Sequence, residues 1–595
     1  MSRNLAVGIS LGVVAVAYQW FNISHLKQLG ILEIPPVFDA ALYLYQSVEG
    51  YHVLVKEGFS GFLKFAAASS SIRAPWFEHM AVVTYLFFGE PSREAALWSH
   101  LPYLFVLLLT VYALGRKAFE SQIAGVSAAL VLLSFPVVIS YSRFFQTEIP
   151  LVTFVGLTLL LVIKSWYFES VPWSAALGVA LGLCLLTRTM APAYYIGPLG
   201  MGLYLGLSQS AHKRRVLGNL FLALGIGCVL ASLWWLPNLG PALDYLLGYG
   251  YGGRTWLYVT LGQIEPGFAE HVVQVLKGVF LTGLSPAFLC LSLFLCVVTL
   301  VLKRQSFVED PEAKQVRYLI LAWLVIPLLF LISTRDWHIE FTVGLMPPMA
   351  LLIGGCLARL RRLSRVVFAA CTLLVLAAAG VNVSQLMFGQ ELLESKSRWI
   401  VGSDSAAVSH MLAAYPNGDV HRDRNWHLQD LASAVLGASA VESPRLMFLV
   451  EELYFSPCSM LYLRAENQYP IEIVSNHPPS KEWLQENLSR VHFVVSYGDK
   501  SSYERRFTQH LAVEPAVLRE QMKSSGAQFV DVGSWELPNG MRVILFQNLS
   551  VIPERIAPES MSERRSFGLF RLGTPFRDTI RESAASDSKM LSRSA

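Results

Sequence analysis

Long apolar stretches separated by polar connections occur throughout the first two thirds of the chain. Eleven of them stand out, at about residues 5–21, 95–115, 122–141, 149–168, 172–187, 190–207, 216–236, 272–302, 318–333, 341–358 and 366–388. Most reach the ~20 residues that an α-helix needs to cross ~30 Å of hydrocarbon. Aromatic residues (Tyr18, Trp20 and Phe21) continue the first stretch like an interfacial belt, which favours a retained helix over a cleaved signal peptide. The pattern predicts a mainly α, polytopic membrane protein with about eleven transmembrane helices.

One further apolar segment, PWFEHMAVVTYLFF (75–88), decides the orientation of the rest. It is shorter than the others and contains Glu78 and His79, so we predict an interfacial helix rather than a crossing. The predicted cytoplasmic loops then contain most of the basic residues, namely Arg116, Lys117, Lys164, Lys213, Arg214, Arg215, Lys303, Arg304, Lys314, Arg317, Arg359, Arg361, Arg362 and Arg365. The short outer loops contain Arg143, Arg188, Arg254 and Arg335. A crossing at 75–88 would reverse this bias against the positive-inside rule, so everything after residue 390 is predicted to face outward.

The last third of the chain changes character after residue 390. Strand-like runs occur at 445–450, 460–464, 471–474 and 491–496, with helical stretches such as 404–414 and 481–489 between them. The run WELPNGMRVILFQ (535–547) predicts a hairpin, because Asn539-Gly540 supplies turn residues between two alternating strands. From residue 551 the chain is rich in Ser, Arg, Glu and Pro, which is typical of disorder. The predicted organisation is a transmembrane domain (1–390), an extracytoplasmic α/β domain (391–550) and a disordered tail (551–595).

The composition supports a membrane protein and argues against a nucleic-acid-binding protein, a disulfide-rich domain and a zinc protein. Of the 595 residues 53% are hydrophobic and only 15% are charged, well below the charged fraction of an average soluble domain. The net charge of +4 is spread along the chain, so we expect no nucleic-acid partner. Only Cys458 of the seven cysteines lies in the polar third, which leaves no disulfide framework there. The thirteen histidines lack the spacing of a zinc site, and we expect no metal site.

Acidic and basic residues gather on the predicted outer face. They are Asp39 after the first crossing, Arg73 before the interfacial helix, Arg143 and Glu148 between the third and fourth crossings, and Arg188, Arg254, Arg335 and His338 in later loops. Arginines bind phosphate in a bidentate manner, and a carboxylate near an anomeric carbon accepts the proton of an incoming hydroxyl. The set therefore suits a lipid-linked sugar phosphate held at the membrane surface. Each residue also has a plainer interpretation, as a helix cap, a lipid anchor or an interfacial histidine.

Four stretches in this order resemble the GT-C superfamily of integral-membrane glycosyltransferases. They are PPVFDAALYLYQS, SIRAPWFEHMAVVTYLFFG, SRFFQTEIPLVTF and LGVALGLCLLTRTMAP. The first is similar to the acidic motif of the family's first outer loop, and the second to a basic residue and proline before an amphipathic helix. The third is similar to the element whose acid precedes the fourth crossing, and the fourth to a small-residue helix ending in a Leu-Thr-basic-Pro turn. The branch it looks most like contains protein O-mannosyltransferases and the aminoarabinose transferases that modify lipid A.

The resemblance implies roles for individual residues. Asp39 becomes the candidate catalytic base, Glu148 the second acid of the active site, and Arg73 a contact of the donor phosphate. Arg143, Arg188, Arg254, Arg335 and His338 complete the candidate set for phosphate binding. Three positions depart from the family pattern: Ala40 replaces a common Glu, Ala74 interrupts a proline pair, and the second acid is Glu rather than Asp. One isolated acid on each loop leaves few ligands, so a divalent metal is not favoured.

The expected activity is transfer of a sugar from a polyprenyl-phosphate-linked donor to an acceptor hydroxyl, with inversion, at the extracytoplasmic face. The expected partners are the bilayer, the lipid-linked donor, and a protein, glycolipid or polysaccharide acceptor, and the expected location is a bacterial inner membrane. Two alternatives stay open: a flippase or transporter of an anionic glycan, and a non-catalytic scaffold whose outward domain binds glycan. The near absence of mid-membrane charge and of an inverted repeat counts against the transporter.

Overall fold

Two compact units make up the chain. The computed structural model describes residues 3–36, 38–70, 73–250, 267–301, 310–334, 338–388, 425–450, 452, 454–475, 481–504, 513–538 and 540–551. One unit comprises residues 1–259 and 263–423, and the other comprises 260–262 and 424–595. The predicted boundary at residue 390 lies outside the described residues, as does nearly all of the tail predicted to be disordered, so both stay predictions.

Helices form the first unit. Its α-helices, labelled α1 to α16 in chain order, are Arg3–Gln28, Phe38–Ala68, Trp76–Phe88, Arg93–Trp98, His100–Phe119, Gln122–Leu132, Pro136–Arg143, Glu148–Lys164, Val171–Thr187, Pro192–Gln209, Lys213–Gly250, Phe268–Lys277, Pro286–Val301, Pro311–Ser333, Met346–Leu363 and Arg365–Phe388. A π-helical turn, Gly278–Gly283, follows α12, and a 3₁₀ turn, Ile339–Leu345, precedes α15.

Each of the eleven apolar stretches falls on one or two of these helices. Among the described residues, six helices are long and apolar enough to cross a membrane, and eight spans result if two bent helix pairs are each counted as one. The pairs are α6 with α7, bent by 60°, and the segment Phe268–Gly283 with α13, bent by 90°. Helix α9 is apolar but has only 17 residues. A polytopic helical protein is therefore confirmed, whereas the count of about eleven crossings stays a prediction.

The outer loop that contains Arg254 begins later than the apolar stretch 216–236 predicts. Helix α11 continues to Gly250 through Pro237 and Pro241, and residues after 250 lie outside the described part. Proline is tolerated within helices of membrane proteins because neighbouring groups satisfy the freed backbone. The two prolines and the glycines around them are therefore a poor stop signal in this setting.

Helix α9 packs closely against α11, and this packing positions Arg188 at the C-terminal end of α9. A Cβ at Gly178 of α9 would lie 2.5 Å from the carbonyl oxygen of Ala223, so only glycine allows this approach. Small residues at helix contacts are the usual means of close packing between membrane helices. Arg188 follows directly after Thr187, the last residue of α9, in an extended conformation.

A five-stranded mixed sheet forms the centre of the second unit. Its strands are β1 (Arg445–Phe448), β2 (Glu472–Val474), β3 (Phe493–Tyr497), β4 (Phe529–Glu536) and β5 (Arg542–Asn548), in the spatial order β2-β1-β3-β5-β4. Strand β1 runs parallel to β2 and β3, whereas β5 is antiparallel to β3 and β4. The helices are α17 (Leu428–Ala438), α18 (Pro457–Asn467), α19 (Lys481–Leu488), α20 (Lys500–Glu504) and α21 (Pro515–Ser524).

Most of the strand predictions hold in this unit. The runs at 445–450, 471–474 and 491–496 contain β1, β2 and β3, and the predicted hairpin is β4–β5, with Gly540 at φ +74° in the turn. The strand predicted at 460–464 is wrong, because these residues lie in α18. The Ser456 hydroxyl accepts a hydrogen bond from the backbone N–H of Ser459, and Pro457 opens the helix, so the start signal overrides the alternation. The helix expected at 404–414 lies outside the described residues, and α19 matches the one expected at 481–489.

Candidate active site

The first part of the site is an ion pair between Asp39 and Arg73. Asp39 lies in the first turn of α2, where the helix dipole favours a negative charge. An amino group of Arg73 donates to Asp39 Oδ1 at 2.6 Å. The Asp39 side chain remains 45% exposed, whereas that of Arg73 is 18% exposed and lies against the ring of Tyr43, with 5.4 Å from Cζ to the ring centroid. The carboxylate of this pair is therefore open to a ligand while its arginine is held.

The second part is a buried arginine shared by two glutamates. Glu148 is the first residue of α8, Arg188 caps α9, and Glu340 lies in the 3₁₀ turn before α15. One amino group of Arg188 contacts Glu148 Oε1 and the other contacts Glu340 Oε1. Arg188 also donates to the Thr147 hydroxyl at 3.2 Å and lies over the ring of Phe341. Burial alone would lower the pKa of Arg188, but Glu340 outweighs it and raises that pKa, so the guanidinium stays charged.

Two tyrosines are within electrostatic reach of both groups. Tyr43, one helical turn after Asp39 in α2, is within electrostatic reach of Arg73, Asp39 and Arg188. Tyr141 of α7 is within reach of Glu340, Arg188 and Asp39. Both phenols are within electrostatic reach of Asp39 and of Arg188, and Arg188 contacts Glu148. The two carboxylates predicted as site residues, Asp39 and Glu148, therefore belong to one region of the first unit.

The remaining predicted residues are placed differently. Arg143 is buried, its Nε donates to Asn22 Oδ1 at 2.8 Å, and its guanidinium lies 3.4 Å from His25 Nδ1, so it joins α7 to α1. His338 lies edge-on to Phe341, with ring centroids 5.6 Å apart. Arg254 and Arg335 lie outside the described residues. A phosphate-binding role for any of these residues stays a prediction.

Three site residues escape prediction from the sequence. Glu340 is one of several polar residues in its loop, and its partner Arg188 lies 152 positions earlier in the chain. Tyr43 and Tyr141 do not stand out in the sequence, because aromatic residues occur throughout the membrane helices. The one available signal was that Tyr43 lies four residues after Asp39, and therefore on the same helix face.

A fourth carboxyl group, Glu78, is buried in α3 behind Arg73. The Ser69 hydroxyl donates to Glu78 Oε1 at 3.3 Å. Burial raises the pKa of Glu78 to about 8, although Arg73 and the Ser69 hydrogen bond oppose the shift. Its ordinary value is 4.5, so the folded protein holds a proton there that the unfolded chain has released at neutral pH.

Stability should therefore fall as the pH rises through the window between these two values. The contribution of Glu78 is fully present below about pH 4.5 and is lost as the pH passes about 8. The melting temperature of the detergent-solubilised wild type is expected to decline from pH 6 to pH 9, and Glu78→Gln should flatten that decline. Glu94→Gln, which removes a surface partner of Lys27, serves as the control and should keep the wild-type slope. An unchanged slope in Glu78→Gln would show that this carboxyl group does not hold the proton.

The arrangement of His, Cys, Asp and Glu side chains bears on whether the site binds a metal ion. Within the described ranges, no group of three or more His, Cys, Asp or Glu side chains is arranged to hold a metal ion. The expectation that no divalent metal ion takes part stays a prediction from the sequence.

Comparisons with known proteins found one family model and several solved structures similar to this chain. Residues 71–235, which include Arg73, Glu148 and Arg188, match the family model described as dolichyl-phosphate-mannose-protein mannosyltransferase. No curated protein matches the chain. The crystal structure of ArnT from Cupriavidus metallidurans in the apo state is similar over 92% of this chain and 99% of its own, with a TM-score of 0.53 and 13% identity. The same protein bound to undecaprenyl phosphate is similar over 91% and 98%, with a TM-score of 0.51 and 13% identity. The family model therefore matches a segment of about a quarter of the chain, and the two structures show that this chain has a fold similar to that of ArnT.

Proposed function

We propose that this protein transfers a sugar from a polyprenyl-phosphate-linked donor to an acceptor hydroxyl at the extracytoplasmic face of the membrane, with inversion at the anomeric carbon. The observation that carries the proposal is the convergence of an exposed carboxylate, Asp39, with Arg73 and with the group of Glu148, Arg188 and Glu340. The likeness to a protein crystallised with undecaprenyl phosphate supports the choice of donor.

In the proposed reaction, Asp39 accepts the proton of the acceptor hydroxyl as its oxygen attacks the anomeric carbon. The bond between that carbon and the phosphate oxygen breaks, and its electron pair leaves with the polyprenyl phosphate. Arg73 lies beside Asp39 and would neutralise charge on the leaving phosphate, which is the main assistance such a leaving group needs. Glu148 is 2% exposed and bonded to Arg188, so we assign it to holding the site in shape rather than to proton transfer.

The direct test is a transfer assay with purified full-length protein in proteoliposomes. Radiolabelled sugars linked to polyprenyl phosphate are supplied with protein, glycolipid and polysaccharide acceptors, and the matching sugar nucleotides serve as the alternative donors. Label should reach an acceptor only from the lipid-linked donors. Transfer from sugar nucleotides alone would contradict the proposed donor class, and movement of intact labelled lipid across the bilayer without transfer would favour the flippase.

Arg73 gives this proposal a residue-level prediction. Arg73→Met should raise the KM for the lipid-linked donor by roughly 10- to 100-fold, because a charge-assisted hydrogen bond to phosphate contributes about 1.5–3 kcal/mol. Initial rates at varied donor concentration measure the change. Arg116→Met is the matched control, since the Arg116 side chain is exposed in the last turn of α5 and donates to Asn4 Oδ1. Donor KM equal to that of the wild type in Arg73→Met would remove Arg73 from the phosphate site.

A further inference from the structure

We infer that Glu78 is a positioning residue for Arg73. While the Glu78 carboxyl group is neutral, Arg73 stays bonded to Asp39; when that group ionises, it draws the guanidinium inward and away from Asp39. The site is therefore most effective near neutral pH and weakens in alkaline solution. This inference rests on the proposed function, in which Arg73 neutralises the leaving phosphate, and it adds a residue that acts on the site without contacting the substrate.

Glu78 lies in a buried cluster that has more hydrogen-bond acceptors than donors. It is 1% exposed, and the Ser69 hydroxyl lies 3.3 Å from its Oε1. The same hydroxyl lies 3.2 Å from the carbonyl oxygen of Ala66 and 3.4 Å from His79 Nε2, yet it has only one proton to donate. Within the described residues, Glu78 Oε2 and Gln46 Oε1 make no hydrogen bond. A proton on Glu78 therefore supplies a donor that the cluster lacks, and an ionised carboxylate there would have too few donors.

Arg73 is the cation beside this cluster. Its guanidinium lies over the ring of Tyr43 in α2. Three residues further along the same helix, Gln46 donates to the carbonyl oxygen of Ser69, whose hydroxyl reaches Glu78. Arg73 also acts on Glu78 electrostatically and favours its ionised form. An ionised Glu78 thus has Arg73 as its nearest source of positive charge.

The helices that pack against α3 offer no better counter-charge. In α3 itself, His79 Nε2 lies 3.9 Å from Glu78 Oε1, but burial lowers the pKa of His79 to about 3, so its ring is neutral at the pH of the experiment. Burial raises the pKa of Tyr43, so its phenol is neutral as well. Helix α9 contains no charged residue. The charged side chains of α2 and α4 that do not shift the pKa of Glu78 are Asp39, Glu49, Lys56, Glu57, Lys64, Arg93 and Glu94.

An ionised Glu78 would compete with Asp39 for Arg73, and burial gives Glu78 the advantage. The Asp39 side chain is 45% exposed, so water stabilises its charge when the guanidinium moves away. Glu78 has no such compensation, and a charge pair attracts more strongly in the protein interior than at its surface. Because burial raises the pKa of Glu78 to about 8, the competition begins just above neutral pH.

The test compares binding of undecaprenyl phosphate at pH 7 and pH 9. Full-length protein in nanodiscs is titrated with the lipid, for the wild type and for Glu78→Gln, whose amide remains neutral at both pH values. The ratio of the wild-type Kd to the Glu78→Gln Kd should rise roughly 10-fold between pH 7 and pH 9. This is the lower end of the loss expected for Arg73→Met, because Arg73 is displaced rather than deleted. Any change in the charge of the lipid phosphate is common to both proteins.

Three further variants separate this role from a structural one. Ser69→Ala removes the hydroxyl that favours the ionised form of Glu78, so the fall in affinity should move to a higher pH. In an Arg73→Met background, Glu78→Gln should no longer change the pH dependence, whereas an effect on folding alone would persist there. Glu94→Gln makes the same substitution at the surface and should keep the wild-type pH dependence.

Each outcome decides the inference. The same pH dependence in the wild type and Glu78→Gln, with a wild type that binds, would overturn the inference and leave the proposed function standing. A wild type that binds no undecaprenyl phosphate at either pH would contradict the proposed donor class and the inference with it. Should Glu78→Gln fail to fold, Ser69→Ala decides alone, and a fall in affinity at the same pH as in the wild type would overturn the inference.

Discussion

Asp39→Asn is expected to bind the lipid-linked donor but to lose sugar transfer by about 100-fold or more. Asparagine has the size of aspartate and still accepts a hydrogen bond from Arg73, so the variant should fold and keep the contact now seen at 2.6 Å. It cannot take up the proton of the acceptor hydroxyl. General base catalysis contributes about 10²–10⁴-fold to rate, and the loss should therefore appear in kcat rather than in donor KM.

The measurement is single-turnover transfer at saturating donor, together with donor affinity from titration. Asp310→Asn is a matched acid-to-amide control, because Asp310 caps α14 and asparagine is an equally good cap. That control should keep both wild-type activity and stability. A kcat within a few-fold of the wild type in Asp39→Asn would show that another group takes the proton, and the mechanism proposed above would have to be abandoned.

The sequence predicts the helices of the first unit far better than their arrangement. Long apolar stretches have few alternatives to helix in a membrane, and each one falls on a helix. Helix α2, Phe38–Ala68, was missed because its Glu, Lys, Tyr and Gly residues give no long apolar run. The continuation of α11 past Pro237 and Pro241 escapes prediction for the opposite reason, since proline is a strong local stop signal for a helix.

The site shows a similar limit. Asp39, Arg73, Glu148 and Arg188 were singled out because charged residues are rare in this chain and these lie at the ends of predicted segments on one side. Their bonding pattern could not be predicted, because it depends on which helix ends meet. Arg188, expected to bind phosphate, is instead held by two glutamates from different elements, one of which nothing in the residue pattern singled out.

This difference gives the last prediction, for Arg188→Met. If Arg188 mainly bound phosphate, the variant would fold normally and lose donor affinity alone. The structure predicts a loss of stability instead, because the buried Glu148 would lose its counter-charge and Glu340 would lose its bond to Arg188. Breaking a buried ion pair by removal of one partner costs about 3–5 kcal/mol, and we expect a loss of that size in the free energy of unfolding.

Removal of the charges of Glu148 and Glu340 distinguishes the loss of an ion pair from a general loss of packing in Arg188→Met. The triple variant Arg188→Met, Glu148→Gln, Glu340→Gln should recover most of the lost stability, since amides in place of both carboxylates need no counter-charge. Arg188→Lys should fall between the wild type and Arg188→Met, because an ammonium group is a point charge without the planar fork that serves two carboxylates at once. Denaturation in mild detergent, followed by intrinsic fluorescence, ranks the four proteins. An Arg188→Met variant as stable as the wild type would show that the two glutamates do not depend on this arginine, and Arg188 would return to the set of phosphate-binding candidates.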